Sequence, residues 1–144
     1  MNPSNPVAKT SPVLRSRGML SVLVVDDDAF QHDLITELLR ALQITNVQCV
    51  SSGEQAMQKL AAKAAVYDVV LLDLHMPGMD GFQFMEALAR SGYGGSLIIV
   101  SGQSDDVMHA ATLVAKLRRF TLLGSVAKPV ERAALSRLIR PVVS

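Results

Sequence analysis

The chain has only one cysteine, Cys49, which excludes an internal disulfide and any multi-cysteine metal site. Cys49 lies in the apolar-leaning run Val47-Gln48-Cys49-Val50 and reads as a small core residue. Neither sign of charge is in excess. A net charge of +1 gives no electrostatic basis for binding nucleic acid or an anionic membrane. No apolar run approaches the roughly 18 residues of a membrane-spanning helix. No apolar signal-peptide core precedes Met19, so the expected location is the cytoplasm. Neither G-x-x-x-x-G-K-[ST] nor G-x-G-x-x-G occurs, so a nucleotide cradle is not supported.

What is present fits one globular domain. The 144 residues are 49% hydrophobic and 19% charged, enough for one core. Residues 1–18 are polar and proline-rich, carry Lys9, Arg15 and Arg17, and are expected to form a flexible leader. Residues 19–144 then make the folded domain. Apolar, strand-like runs are expected at 20–25, 47–50, 68–73, 97–100 and 122–127. Helical patterns lie between and after them, at 29–42, from Ser51, at 81–91, from Ser104 to Arg119, and at 131–140. Ser51 and Glu54 have the spacing of a capping box. Asp28 and Asp80 read as helix caps. Alternation of this kind predicts five β/α units, a doubly wound parallel sheet with helices on both faces.

In such a sheet the C-terminal strand ends form the functional rim. Asp26, Asp27 and Asp28 follow the first strand, and Asp73 follows Val69-Val70-Leu71-Leu72 in the third. Ser101 and Gly102 follow the fourth strand, Lys128 and Pro129 the fifth. Several carboxylates at one rim repel one another unless a cation sits among them. Oxygen ligands without a histidine or cysteine cluster select a hard cation, foremost Mg²⁺. A lysine and a hydroxyl beside such a metal suit a phosphoryl group. A carboxylate can accept that group covalently as an acyl phosphate.

These residues resemble the receiver domain of two-component response regulators, the CheY-like family. The matching pieces are Val22-Leu23-Val24-Val25-Asp26-Asp27-Asp28 and Leu71-Leu72-Asp73-Leu74-His75-Met76-Pro77-Gly78-Met79-Asp80-Gly81. Ile98-Ile99-Val100-Ser101-Gly102 and Val126-Ala127-Lys128-Pro129 complete them. The resemblance implies a (βα)5 sandwich with flavodoxin-like strand order 2-1-3-4-5. It implies that Asp73 is the phosphoacceptor, with Ser101 the switch hydroxyl and Lys128 the lysine that pairs with the phosphoryl group. Mg²⁺ would be held by Asp26, Asp27, Asp73 and the backbone carbonyl of His75. His75, Gln103 and Gly102 are the positions expected to tune the site, and Lys128-Pro129 is a candidate cis peptide. The implied partners are a sensor histidine kinase or phosphotransfer protein, an output domain or downstream protein, and a second copy in a homodimer. The implied role is a switch, catalysing only its own phosphorylation and dephosphorylation.

The chain departs from that pattern at one place. Receivers usually carry Tyr or Phe three residues before the lysine, and here Ser125 stands there. Residues 113–128 resemble receivers that precede EAL-type cyclic-di-GMP phosphodiesterase modules, which fits the receiver portion of a longer regulator. Two other readings compete. An aspartyl-nucleophile phosphohydrolase of the haloacid-dehalogenase type would want an acid two residues after Asp73, where His75 stands, and a cap domain. A pseudo-receiver that docks partners without phosphorylation fits Ser125 but not the intact rim. Of the histidines, His32 and His109 read as surface residues on helices. His75 could orient or hinder an attacking water, though a plain exposed histidine is the preferred reading.

Overall fold

A computed structural model describes residues 14–62, 66–76, 78–102 and 104–144. Five strands alternate with five helices: β1 Ser21–Val25, α1 Ala29–Ala41, β2 Asn46–Val50, α2 Gly53–Ala61, β3 Val69–Asp73, α3 Gly81–Arg90, β4 Ser96–Ser101, α4 Asp105–Leu117, β5 Thr121–Ala127 and α5 Arg132–Ile139. A 3₁₀ turn, Arg140–Val142, follows. The sheet is parallel, in order β2-β1-β3-β4-β5.

The burial of each strand follows its place in that order. Every residue of β3 and β4 is buried, because helices cover both faces of the central sheet. The edge strands β2 and β5 are partly exposed. Two cores result, one on each face. Leu23, Val70, Leu72, Leu97 and Ile99 face α2, α3 and α4, meeting Ala56, Phe84, Leu88, Ala111 and Ala115. Val22, Val24, Leu71, Ile98 and Val100 face α1 and α5, meeting Ile35, Leu39, Leu135 and Ile139. Burying each large apolar side chain contributes about 1.5–3 kcal/mol before chain entropy is charged.

Local chemistry sets where the helices start. Asp28 caps α1, its Oδ1 accepting the Phe30 N–H at 2.9 Å. Asp80 and Gln83 form a reciprocal capping box on α3. The cap of α2 is Ser52, which accepts from Gln55 N, and not Ser51. The expected Ser51/Glu54 box is thus displaced by one residue. Ser51 continues the exit from β2, and its N–H is already taken by the Gln55 side chain. Gly81 lets α3 start hard against the end of β3, since a Cβ there would lie 2.6 Å from Leu74 Cα.

The leader expected over 1–18 lies outside the described residues as far as residue 13. Within the described part of that stretch, Arg15 contacts the folded domain. Arg15 forms a parallel bridge with Val143 and places Nε 2.8 Å from Asp68 Oδ1. The other Asp68 oxygen accepts the Ser21 N–H at 2.8 Å. This carboxylate, at the entrance to β3, anchors both the segment before β1 and β1 itself. No helix among the described residues is long and apolar enough to cross a membrane.

Candidate functional site

The parallel sheet brings the ends of β1, β3, β4 and β5 to one rim. An open cleft of about 530 Å³ lies there, lined by Asp27, Asp28, Asp73, His75, Gly102 and Lys128 among others. Asp73 ends β3 and is 3% exposed. Asp26 follows β1 and is 1% exposed, whereas Asp27 is open to solvent. One carboxylate oxygen from each of Asp26, Asp27 and Asp73 lies within 4.8 Å of the others. That is the span over which an octahedral hard cation gathers oxygens.

Lys128 reaches into the same cluster from the end of β5. Its Nζ is 2.9 Å from Asp26 Oδ2 and 3.5 Å from Asp73 Oδ1. The nearer contact is at ion-pair distance but off hydrogen-bond geometry, leaving Asp26 Oδ2 buried without an oriented donor. A buried carboxylate oxygen of this kind fits a cation site. The other Asp26 oxygen accepts the Asp28 N–H at 2.9 Å.

The electrostatics are those of crowded acids around one base. Burial pushes the Asp73 carboxyl above its usual range, and the charge on Asp26 pushes it further. Lys128 and the His75 N–H pull the other way without cancelling the rise. Burial alone would lower the Lys128 ammonium, but the Asp26 and Asp73 carboxylates outweigh it and raise it. Asp73 is therefore held in a state that favours gaining a positive neighbour or losing its charge.

Ser101 is the last residue of β4 and fully buried. It stands opposite Ala127 in the ladder, and its carbonyl accepts the Lys128 N–H at 3.0 Å. The Lys128-Pro129 peptide is cis. Gly102 lines the cleft, and a Cβ there would meet only Lys128 Cδ at 4.0 Å, so the position admits a small side chain. His75 is exposed on the cleft wall, and its N–H reaches Asp73 Oδ1 at 3.4 Å. Gln103 lies outside the described residues. Ser125 lies opposite Ile99 in the ladder, on the α4 side of the sheet, and is exposed.

One neighbour of the candidate site escaped the sequence reading. His32, expected at the surface, is half-buried, with Nε2 2.5 Å from Asp26 O and 3.1 Å from Val50 O. The available signal was its spacing from Thr36, whose Oγ1 touches Cys49 Sγ at 3.6 Å. The two share an i,i+4 row of α1 turned toward β2. His109 is exposed, as expected.

Known proteins share the family and the fold of this chain. Residues 22–140 match the family described as the response regulator receiver domain. The protein-glutamate methylesterase/protein-glutamine glutaminase 5 of Myxococcus xanthus is 32% identical over 130 residues, covering 80% of this chain and 37% of that protein. The nitrate/nitrite response regulator NarL of Escherichia coli K12 is 32% identical over 93 residues, covering 62% of this chain and 42% of NarL. The chain thus spans less than half the length of these relatives. A response regulator from Colwellia psychrerythraea superposes with a TM-score of 0.71 at 27% identity, covering 85% of this chain and 94% of that one. The Vibrio cholerae chemotaxis protein CheY4 superposes at 0.72 with 24% identity, covering 86% and 98%, a likeness of fold.

Proposed function

The chain belongs to the response regulator receiver domain family, the phosphorylation-dependent switches of two-component signalling, and from that premise we propose that Asp73 takes the phosphoryl group. The observation that carries the assignment is the pairing of a buried strand-end carboxylate with Lys128 Nζ at 3.5 Å, inside a cluster of acids. Receiver domains generally bind Mg²⁺ at such an acidic pocket, and here Asp26, Asp27, Asp73 and the carbonyl of His75 would hold it. When bound, the ion supplies positive charge to phosphoryl oxygens and to the carboxylate that receives them.

The residues of the chain do the rest. An Asp73 oxygen attacks phosphorus in line with the departing donor nitrogen, forming the acyl phosphate as the phosphorus–nitrogen bond breaks. Lys128 leaves Asp26 for a phosphoryl oxygen, offsetting charge that builds in the transition state. The Ser101 hydroxyl donates to another phosphoryl oxygen, coupling the end of β4 to the chemistry. The consequence is a two-state shift of the surface formed by α4, β5 and α5, read by an output domain, a downstream protein or a second copy of the chain. With Ser125 in place of an aromatic, that shift does not use a swinging ring on β5. The donor is a sensor histidine kinase or a phosphotransfer protein. The only reaction the domain catalyses is its own phosphorylation and dephosphorylation.

Incubation with Mg²⁺ and acetyl phosphate tests this directly. Intact mass should show one added phosphoryl group, absent in Asp73→Asn and absent when the metal is chelated. Full labelling of Asp73→Asn would overturn the assignment. Gel filtration of the same samples reads the homodimer.

A further inference from the structure

We propose that His32 is a positioning residue for the acidic cluster, its ring N–H fixing the peptide that joins Asp26 to Asp27. The inference rests on the reading that these carboxylates hold Mg²⁺, and it names what keeps them in place. His32 Nε2 lies between two backbone carbonyls, 2.5 Å from Asp26 O and 3.1 Å from Val50 O. Both are acceptors only, so Nε2 carries the hydrogen and shares it between them.

The need for this donor follows from the ladder. The pairing of β1 with β2 ends at Val25↔Val50, and that with β3 at Val25↔Leu72. Asp26 still gives its N–H to Val50 O at 3.1 Å, but its own carbonyl lies beyond the last pair. A carbonyl at a buried residue costs free energy unless some donor reaches it. His32 reaches it from the end of the first turn of α1, a helix whose start is capped by Asp28. The segment is closed on itself by Asp28 N–H on Asp26 Oδ1 and by His32 N–H on Asp28 O at 3.2 Å.

The peptide plane between Asp26 and Asp27 carries one carboxylate on each flanking Cα. The torsions on either side of that plane, ψ of Asp26 and φ of Asp27, together set how the two side chains are directed relative to each other. With the carbonyl held by His32, the plane has one orientation, and the ends of β1 and β2 are tied to the same hydrogen. Groups that orient ligating carboxylates act on metal affinity without touching the metal, and their loss typically costs about 10–100-fold.

Two variants separate this from a general packing role. His32→Leu keeps bulk and removes the N–H, and His32→Gln keeps an N–H donor at comparable reach. Calorimetric titration of the unphosphorylated chain with Mg²⁺ should show His32→Leu weakened about 10-fold and His32→Gln within about threefold of the unaltered chain. The Mg²⁺ concentration for half-maximal uptake from acetyl phosphate should move by the same factors, with the rate at saturating Mg²⁺ little changed. Equal affinity for His32→Leu and the unaltered chain overturns the proposal, as does a His32→Gln as weak as His32→Leu. If His32→Leu does not fold, ring ¹⁵N NMR of the unaltered chain decides: a hydrogen on Nε2 of His32 supports the proposal, and one on Nδ1 alone overturns it. An unaltered chain that binds no Mg²⁺ overturns the reading of the cluster and this inference together. One that binds Mg²⁺ while His32→Leu matches it overturns only the inference.

Discussion

Lys128 stands nearer to Asp26 than to the phosphoacceptor candidate, with Nζ 2.9 Å from Asp26 Oδ2. One cation thus serves two buried carboxylates, and the more buried of them has the closer hold. The lysine is 21% exposed, so solvent screens the pair only in part. Three expectations follow from this geometry and from the fold that makes it.

Lys128→Met should destabilise the domain by roughly 1–3 kcal/mol, because it strands the Asp26 and Asp73 charges without their partner. The value is set below that of a fully buried pair because the ammonium is partly solvated. The sign with pH is that of a raised lysine. Its stabilisation is fully present below the unfolded value of 10.5 and is lost as pH rises through the higher folded value. Urea unfolding at neutral and alkaline pH should show the two proteins converging as pH rises into that window.

Asp73→Asn should stabilise the unphosphorylated domain at neutral pH, within the ordinary range of roughly 0.5–2 kcal/mol for one substitution. The folded state raises the Asp73 carboxyl above its ordinary value of 3.8, so it binds the proton more tightly than the unfolded chain does. Stability from this group therefore falls as pH rises from the unfolded value through the folded one. The advantage of Asp73→Asn should shrink below pH 3.8 and reach its full size above the folded value. Denaturant midpoints across that range measure it.

Gly124→Ala should cost about 1–3 kcal/mol. The ladder between β4 and β5 shifts register between Leu97 and Ile98, leaving Leu123 as the extra residue, and Gly124 follows with φ +150°. A Cβ there would lie 2.5 Å from Leu138 Cδ2 on α5. The double variant Gly124→Ala with Leu138→Ala should recover the clash but not the backbone strain. A thermal-unfolding cycle that shows strict additivity would rule out this contact as the cause.

Most of the site was legible because parallel strands buried on both faces are written as continuous apolar runs. The residue that ends each run is then delivered to the rim without further information. Val69-Val70-Leu71-Leu72 places Asp73, and Ile98-Ile99-Val100 places Ser101, by chain adjacency alone. Helix caps at Asp28, Asp80 and Ser104 are readable for the same reason, since they act over three residues. The cap at Ser52 was misplaced by one because Ser51 and Ser52 offer the same hydroxyl, and the side chain of Gln55 chose between them.

What the sequence by itself determined is therefore local: the order of the elements, their caps, and which polar residues stand at the strand ends. The tertiary structure decided what depends on residues distant in the chain meeting at fixed distances. Arg15 docks on Asp68 across 53 positions, and Arg118 grips Glu86 across 32. The bulge at Leu123 carries Ser125 to the α4 side, and His32 closes the ends of β1 and β2. Such contacts have no periodicity to read, because they form only once the sheet register and the helix faces are already set.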